Sequence, residues 1–439
     1  MTVRAAVVLI VAAALAGRAA AAEVDSRLLE QIGDIRLIDD QIHPLVPGNA
    51  PDTEWHALYP FASLVEALHQ PLPARLRPGS PEVVRAWRGL YGYRHDDLTP
   101  EHVREAIDAK RIMQAKQGEA YASWVLDRLG IDVALANRAR LGPGVNVPRF
   151  RWVAFADALL FPLGTGPEAA ENPERKVYFD AIRRERAALG VARPPSTLPE
   201  YLEEVVTPAL ARMQQEGAVA IKLEGAGLQR PAAMGVDEFE ARAIYARHAF
   251  GHEPPARDYE ELRSFLVRYV AQEASRLGLV VHLHTGTDLG AGFGLRGIRP
   301  ADLGWLVDDA VVGWTNFVLV QGGWPSTAEV AAMLAKPNIY ADISAQAYGL
   351  SPPLLAASLR PWLELYPEKV LFGTGALPLT HELGWEETAW LGVTNARTAL
   401  AMALGGMIED GVITRARAVE IARMVLRDNA VALYKLSPS

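Results

Sequence analysis

The 439-residue chain contains no cysteine, which excludes disulfides, thiolate-bound zinc, iron–sulfur clusters and thiol nucleophiles. It also has no basic excess. Its 44 Lys+Arg against 52 Asp+Glu give a formal charge of -8, the wrong sign for a nucleic-acid partner. Long apolar runs are absent too: the stretch 5–17 is well short of the ~20 residues that span a bilayer, and no later segment reaches that length. No G-x-S-x-G, no phosphate-binding G-x-x-x-x-G-K-[ST] and no G-x-G-x-x-G after an early strand occurs, so an activated serine or a nucleotide cofactor has no sequence support. What remains for a metal site or an acid/base pair is 10 histidines and the carboxylates.

The chain opens with Arg4, the apolar stretch 5–17 and a small-residue run at 19–22, the layout of a secretory signal peptide. The expectation is a cleavable signal over 1–22 and a periplasmic or secreted mature protein over 23–439. With the signal gone, that protein should have no membrane segment. Its partner is expected to be a small-molecule substrate, with a homo-oligomer as a further option.

Half of the residues are hydrophobic, enough for a large core. Short apolar, β-branched runs recur at 35–39 (IRLID), 131–136 (IDVALA), 151–155 (RWVAF), 218–223 (AVAIKL), 279–283 (LVVHL), 317–320 (FVLV), 339–343 (IYADI) and 370–372 (VLF). Helical patterns separate them, as at 258–277, where Leu262, Phe265, Leu266, Tyr269 and Val270 recur at three and four. Eight alternating units predict an α/β fold, a (β/α)8 TIM barrel. Helical insertions are expected after strands 1 and 3, at about 44–130 and 164–217, forming either a wall over the pocket or dimerisation surface. Closing helices are read at 386–403 and 414–434. The glycine-rich 290–294 reads as a lid hinge, and Trp305, Trp314 and Trp324 as packing residues.

In such a barrel the C-terminal strand ends converge on one pocket. There the sequence places Gln41 and His43, two apart on one side of a strand; Lys222; His282 and His284; Gln321; and Gly375. Asp39 and Asp40, being adjacent, should point to opposite faces.

These strand-end motifs resemble the amidohydrolase superfamily, in particular the branch whose domain is fused to glutamine synthetase-like enzymes. IDDQIHPL at 38–45 is similar to the family's I-D-x-H-x-H, with Gln41 at the first histidine and His43 at the second. AIKLEGAGLQRP at 220–231 puts Lys222 at the family lysine. HLHTGTDLG at 282–290 makes His284 the family histidine and Asp288 the loop acid. LVQGGWP puts Gln321 at the strand-six histidine, FGTGA puts Gly375 at the strand-eight aspartate, and RDNAVALYKL resembles the closing helix.

The resemblance implies a metal-activated water and an aspartate base. Three of the five compared positions depart from it: Gln41 and Gln321 lack imidazole nitrogens, and Gly375 can neither ligate nor accept a proton. The surviving set is His284, Lys222 and Asp288 as catalytic candidates, and His43 with His284 as ligands for one divalent metal (zinc or manganese), helped by a carbamylated Lys222 or by Asp288. Gln41, Glu224, Arg230, His282 and Gln321 are the substrate-binding candidates. Lys222 also reads as a carboxylate clamp or packing residue, His282 as a core histidine, and His381 as a weaker substitute ligand. His56, His69, His95, His102, His248 and His252 read as surface or lid residues. Three functions follow: an exported hydrolase of a small amide, lactone or ester with a reduced or rebuilt metal site; a metal-independent acid/base hydrolase on the same fold; or a catalytically inactive ligand-binding barrel.

Overall fold

The computed structural model describes residues 24–45, 72–77, 79–164, 173–224, 228, 236–250, 254–286, 298–380 and 382–436. The expected barrel is present. Eight parallel strands pair in sequence order: β1 (Leu37–Ile42), β2 (Ile131–Arg138), β3 (Phe150–Phe155), β4 (Ala218–Leu223), β5 (Val280–His284), β6 (Phe317–Val320), β7 (Ile339–Asp342) and β8 (Val370–Leu371). The segment after β8 closes the ring on β1, where Asp40 N donates to Phe372 O at 3.0 Å and His43 N to Ala376 O at 2.8 Å. Every run read from the sequence overlaps one strand. β1 starts two residues late because Ile35 N still bonds Ile32 O at a helix end, and it extends to Ile42 because its polar residues find partners inside the barrel.

The longer helices are α1 (Ser26–Gly33), α2 (Pro81–Tyr91), α3 (Pro100–Gln117), α4 (Tyr121–Leu129), α5 (Pro173–Ala188), α6 (Thr207–Gln215), α7 (Glu238–His248), α8 (Ala256–Arg276), α9 (Thr327–Met333), α10 (Pro352–Leu365), α11 (Trp385–Glu409), α12 (Arg415–Arg423) and α13 (Asn429–Tyr434). No helix among the described residues is long and apolar enough to cross a membrane. Trp305 and Trp324 pack against the core, but Trp314 does not: it is 90% exposed, because it sits in the turn before β6 rather than on a buried face.

Strand alternation sorts the core into two parts. Outward residues such as Ile221, Leu283, Phe317 and Leu319 pack under the helices. Inward residues Ile38, Leu135, Val153, Ala220, Val280, Val318 and Leu371 form a separate axial cluster, sealed from below by Ala430, Leu433 and Tyr434 of α13 and by Leu436. The step of two that turns Ala220 and Val280 inward does the same for Lys222 and His282, then His284. The barrel axis therefore passes from apolar to polar as it rises toward the strand ends.

The β1–β2 connection contains α2, α3 and α4. Leu76, Val83, Trp87, Tyr93 and Ala106 pack against Ala345, Tyr348, Leu379 and Leu383, so this connection lies over the segments that follow β7 and β8. α2 approaches α11 closely: a Cβ on Gly89 would stand 2.5 Å from Trp390 Nε1. Lys110 Nζ of α3 reaches Glu386 Oε2 at 3.0 Å and Glu387 Oε2 at 2.8 Å at the start of α11, and Tyr121 Oη donates to Glu386 Oε1 at 2.8 Å. The β3–β4 connection carries α5 and α6. It is anchored where Tyr259 Oη donates to Leu163 O at 2.8 Å and Tyr201 Oη to Leu159 O at 2.8 Å.

Candidate active site

At the upper end of the axis Lys222, Glu224 and His284 form a buried chain. Lys222 Nζ lies 2.6 Å from Glu224 Oε1, and Glu224 Oε2 lies 3.0 Å from His284 Nδ1. Burial alone would raise the Glu224 carboxyl, but the Lys222 charge and the bonds from His284 and Lys222 outweigh it and hold the group at about 2. Nδ1 is the ring nitrogen turned to this carboxylate, which fixes the orientation of the His284 imidazole. Lys222 is fully buried, whereas His284 and Gln321 retain 6% and 8% exposure, so the chain meets solvent at His284.

His43 sits beside this chain with both ring nitrogens engaged. Nδ1 is 3.2 Å from Asn137 O and Nε2 is 3.0 Å from Gln41 Nε2. A carbonyl only accepts, so Nδ1 carries the proton and Nε2 takes the Gln41 amide N–H. Burial, and then the Lys222 charge, push His43 down to about 3, so it stays neutral at ordinary pH. Phe155 stacks on its ring with centroids 6.5 Å apart.

Beneath these groups lies a second polar layer that includes residues the sequence did not single out. His282 Nε2 is 2.7 Å from Tyr434 Oη, which donates to Asp40 Oδ2 at 3.3 Å. A hydroxyl donating to Asp40 must accept from His282, so His282 carries its proton on Nε2, and burial pushes it down to about 3. Its Nε2 is held by a protein hydroxyl within the barrel, which is the core-histidine arrangement.

Near Asp40 lies Asp342, whose Oδ1 accepts from Gln321 N at 2.7 Å, Ser344 N at 3.0 Å and Ser344 Oγ at 2.6 Å. Burial and the neighbouring carboxylates Asp342 and Asp39 drive Asp40 far above its ordinary range. Room for the pair comes from Gly373, where a Cβ would lie 2.5 Å from Asp40 Oδ1 and 3.2 Å from Asp342 Oδ2. The alternation of IYADI could have pointed to Asp342, since Tyr340 and Asp342 share a face; the carboxyl opposite it could not be read from one strand.

Asp39 faces the other way, as adjacency requires. It accepts from Thr374 N at 2.8 Å and Thr374 Oγ1 at 2.6 Å, tying β1 to the turn after β8, and burial raises it to about 7. Asp157 accepts from Glu224 N at 2.8 Å, and burial with the Glu224 charge raises it to about 7. Gln321 adopts a left-handed φ of 68°, costly for a residue other than glycine, and is held by Asp342 and by Gln346 Nε2 on its carbonyl at 2.8 Å. Gly375 has φ 62°, and a Cβ there would stand 2.4 Å from Ala345 N.

The structure thus brings together Gln41, His43, Lys222, Glu224 and His284, places Gln321 at the same end of the axis, and sets His282 one layer below. Asp288, Arg230 and His381, the 290–294 hinge and the 1–22 signal lie outside the described residues.

A model of the amidohydrolase family matches residues 148–436. The chain belongs to the amidohydrolase family. Solved structures with the same fold include a Lactobacillus casei protein classed as a metal-dependent hydrolase (TM-score 0.62, 14% identity, covering 93% of this chain and 97% of that one). Glucuronate isomerase from Caulobacter crescentus (0.60, 16%, 94% and 94%) and uronate isomerase from Thermotoga maritima (0.59, 14%, 93% and 96%) also match. At these identities the likeness is one of fold. No curated protein sequence matches the chain.

Membership of this amidohydrolase family implies a divalent metal, and the described donor set can be tested against one. His43 has no lone pair to spare while Gln41 and Asn137 hold its ring. The buried Lys222 ammonium would repel a cation placed beside it. Carbamylating Lys222 would set a second anion against Glu224. Among the described residues the axis offers no three His, Asp or Glu ligands close enough to share an ion. This donor set does not fit the family's metal.

Proposed function

We propose that this amidohydrolase-family chain is a hydrolase of a small amide, lactone or ester whose acid/base work is done by protein groups, with His284 as the base. The observation that carries this reading is the Lys222–Glu224–His284 chain ending at the solvent side of the axis. Glu224 fixes the His284 tautomer and stabilises the imidazolium formed when Nε2 takes a proton from water, a role carboxylates fill behind catalytic histidines. Lys222 keeps Glu224 ionised throughout the working pH range and is a positioning residue. The Gln321 side-chain amide, held at the mouth by a constrained backbone, supplies a donor for the substrate oxygen. An apolar-to-polar gradient along the axis puts the polar groups at the reacting end. Export through the 1–22 signal is part of the same proposal and rests on the sequence pattern alone.

The test is a panel of lactones, N-acyl amino acids, simple esters and uronates, assayed with metal-stripped protein in the presence and absence of added zinc or manganese. The expected result is turnover without metal, with Glu224→Gln lowering kcat on the order of 10²–10⁴-fold at nearly constant KM. Activity that appears only on adding metal would sink the reading. Turnover of a uronate alone would keep the dyad and turn it to proton transfer next to a carbonyl. A signal cut is checked by the N-terminal sequence of the protein recovered from an exporting host.

A further inference from the structure

Outside the barrel, the corner between α2 and α3 gathers groups that the axial site does not use. Gly92 ends α2 at φ 74°, and Thr99 caps α3 by accepting from His102 N. Between them Arg88 Nη2 donates to His95 O at 3.0 Å and Tyr93 Oη to Asp97 O at 2.5 Å, fixing the turn. His102 and Glu105 are three apart on α3 and so share a face. The turn lays His95 on that face: the His95 and His102 rings stack with centroids 3.5 Å apart and planes 10° from parallel, and His95 Nε2 is 2.7 Å from Glu105 Oε2. One ligand atom from each of the three lies within 4.8 Å of the others. Behind them Asp97 Oδ1 is 2.5 Å from His102 Nδ1.

We propose that His95, His102 and Glu105 form a divalent transition-metal site, with zinc as the best-matched ion and Asp97 as its orienting carboxylate. Two imidazoles and one carboxylate are a nitrogen-rich donor set, suited to zinc and its neighbours rather than to magnesium or calcium. Asp97 keeps the His102 proton on Nδ1 and leaves Nε2 with its lone pair, the carboxylate–histidine–metal arrangement that stabilises bound zinc. Face-to-face imidazoles repel if both are protonated; in the stack their in-plane lone pairs run side by side, so binding one ion requires side-chain rotations that turn the two rings toward a common point. Three protein ligands leave a fourth position for water. Both rings are partly exposed, so an ion can reach them without opening the core. The corner belongs to the connection that lies over the β7 and β8 segments, and an ion here would pin it at its outer edge.

The experiment is calorimetric titration of zinc into the chelator-stripped full chain. The expected result is one ion per chain with micromolar or tighter affinity. His95→Ala and Glu105→Gln should each weaken it about 10–100-fold, Asp97→Asn should weaken it less, and His43→Ala/His284→Ala should leave it unchanged. Zinc should also raise the melting temperature of the parent and slow protease cleavage at 92–99, neither of which should occur in His95→Ala. Glu105 is exposed, so Glu105→Gln tests the site even if a histidine variant folds poorly. Absence of binding below about 100 µM, or binding unaffected by His95→Ala and Glu105→Gln, overturns the proposal. Binding lost instead in His43→Ala/His284→Ala would also overturn it, and would count separately against the metal-independent axial dyad.

Discussion

At Gly375 two constraints coincide: a left-handed φ and the backbone of Ala345 pressed to within 2.4 Å of where a Cβ would stand. Gly375→Asp, which restores the family's acid on paper, is expected to destabilise by roughly 2 kcal/mol or more and to add no zinc beyond what the parent binds, read by urea unfolding and by zinc titration against the parent. Asp39 tests the buried carboxyls. Held up to about 7, Asp39 and Asp157 bind their protons more tightly folded than unfolded. Their contribution to stability is complete below about pH 4 and is withdrawn as pH rises through about 7. His43 and His282, pushed down to about 3, act in the opposite sense: their contribution is complete above about pH 6.5 and is lost as pH falls toward 3. Asp39→Asn keeps an acceptor for Thr374 N but removes one titration. Its melting-temperature deficit against the parent should therefore shrink between pH 5 and pH 8, and a constant deficit would contradict the assigned shift.

Among the elements, α3 and α11 are joined by a buried charge cluster rather than by apolar packing alone. Lys110 is held above its ordinary range by Glu386 and Glu387 even though burial opposes its charge. Lys110→Met leaves those two buried carboxylates unpaired and should cost roughly 3–5 kcal/mol, measured by urea unfolding. Adding Glu386→Gln and Glu387→Gln to that variant should recover part of the loss; no recovery would mean that the cluster is not the cause. The eight strands were legible because β-branched runs bounded by helical periods admit few other readings. Partners across the barrel were not. Nothing in the sequence of β1 indicates that Asp40 meets Asp342 over Gly373, or that Tyr434, some four hundred residues away, reaches the same layer. His95 and His102 read as surface residues because their meeting depends on one turn, and a turn's path is not written in periodicity.

For the whole molecule the decisive arrangement is vertical: apolar base, a middle layer of buried carboxyls with His282 and the Tyr434 hydroxyl, charged top. α13 closes the base and also supplies the Tyr434 hydroxyl to the middle layer, so one element both seals and satisfies the interior. Tyr434→Phe leaves His282 and Asp40 each short of a partner and should cost roughly 1–3 kcal/mol in unfolding experiments, with little change in KM because the hydroxyl lies below the reacting end. A large rise in KM would instead place this layer in contact with substrate. The strand-end residues that the family resemblance marks lie at the top of this stack, which is why the sequence could find them. Asp40, His282 and Tyr434 of the middle layer lie inside the same motif stretches, but their chemistry comes from contacts between distant elements, which no single stretch displays.

The tightness of Gly375 bears on how this barrel can change over generations. A single base change converts two of the four glycine codons into aspartate codons, so from either of those the family's acid is one mutation away in the gene. In the protein it is not, because the 344–345 turn, the ladder bond from Gly375 N to Gln41 O at 2.7 Å and the left-handed backbone would all have to give way first. Each intermediate would pay that strain before gaining a ligand. Drift around this site is thereby channelled toward new uses of His284 and its carboxylate, and away from the ancestral-looking solution that the genetic code leaves open.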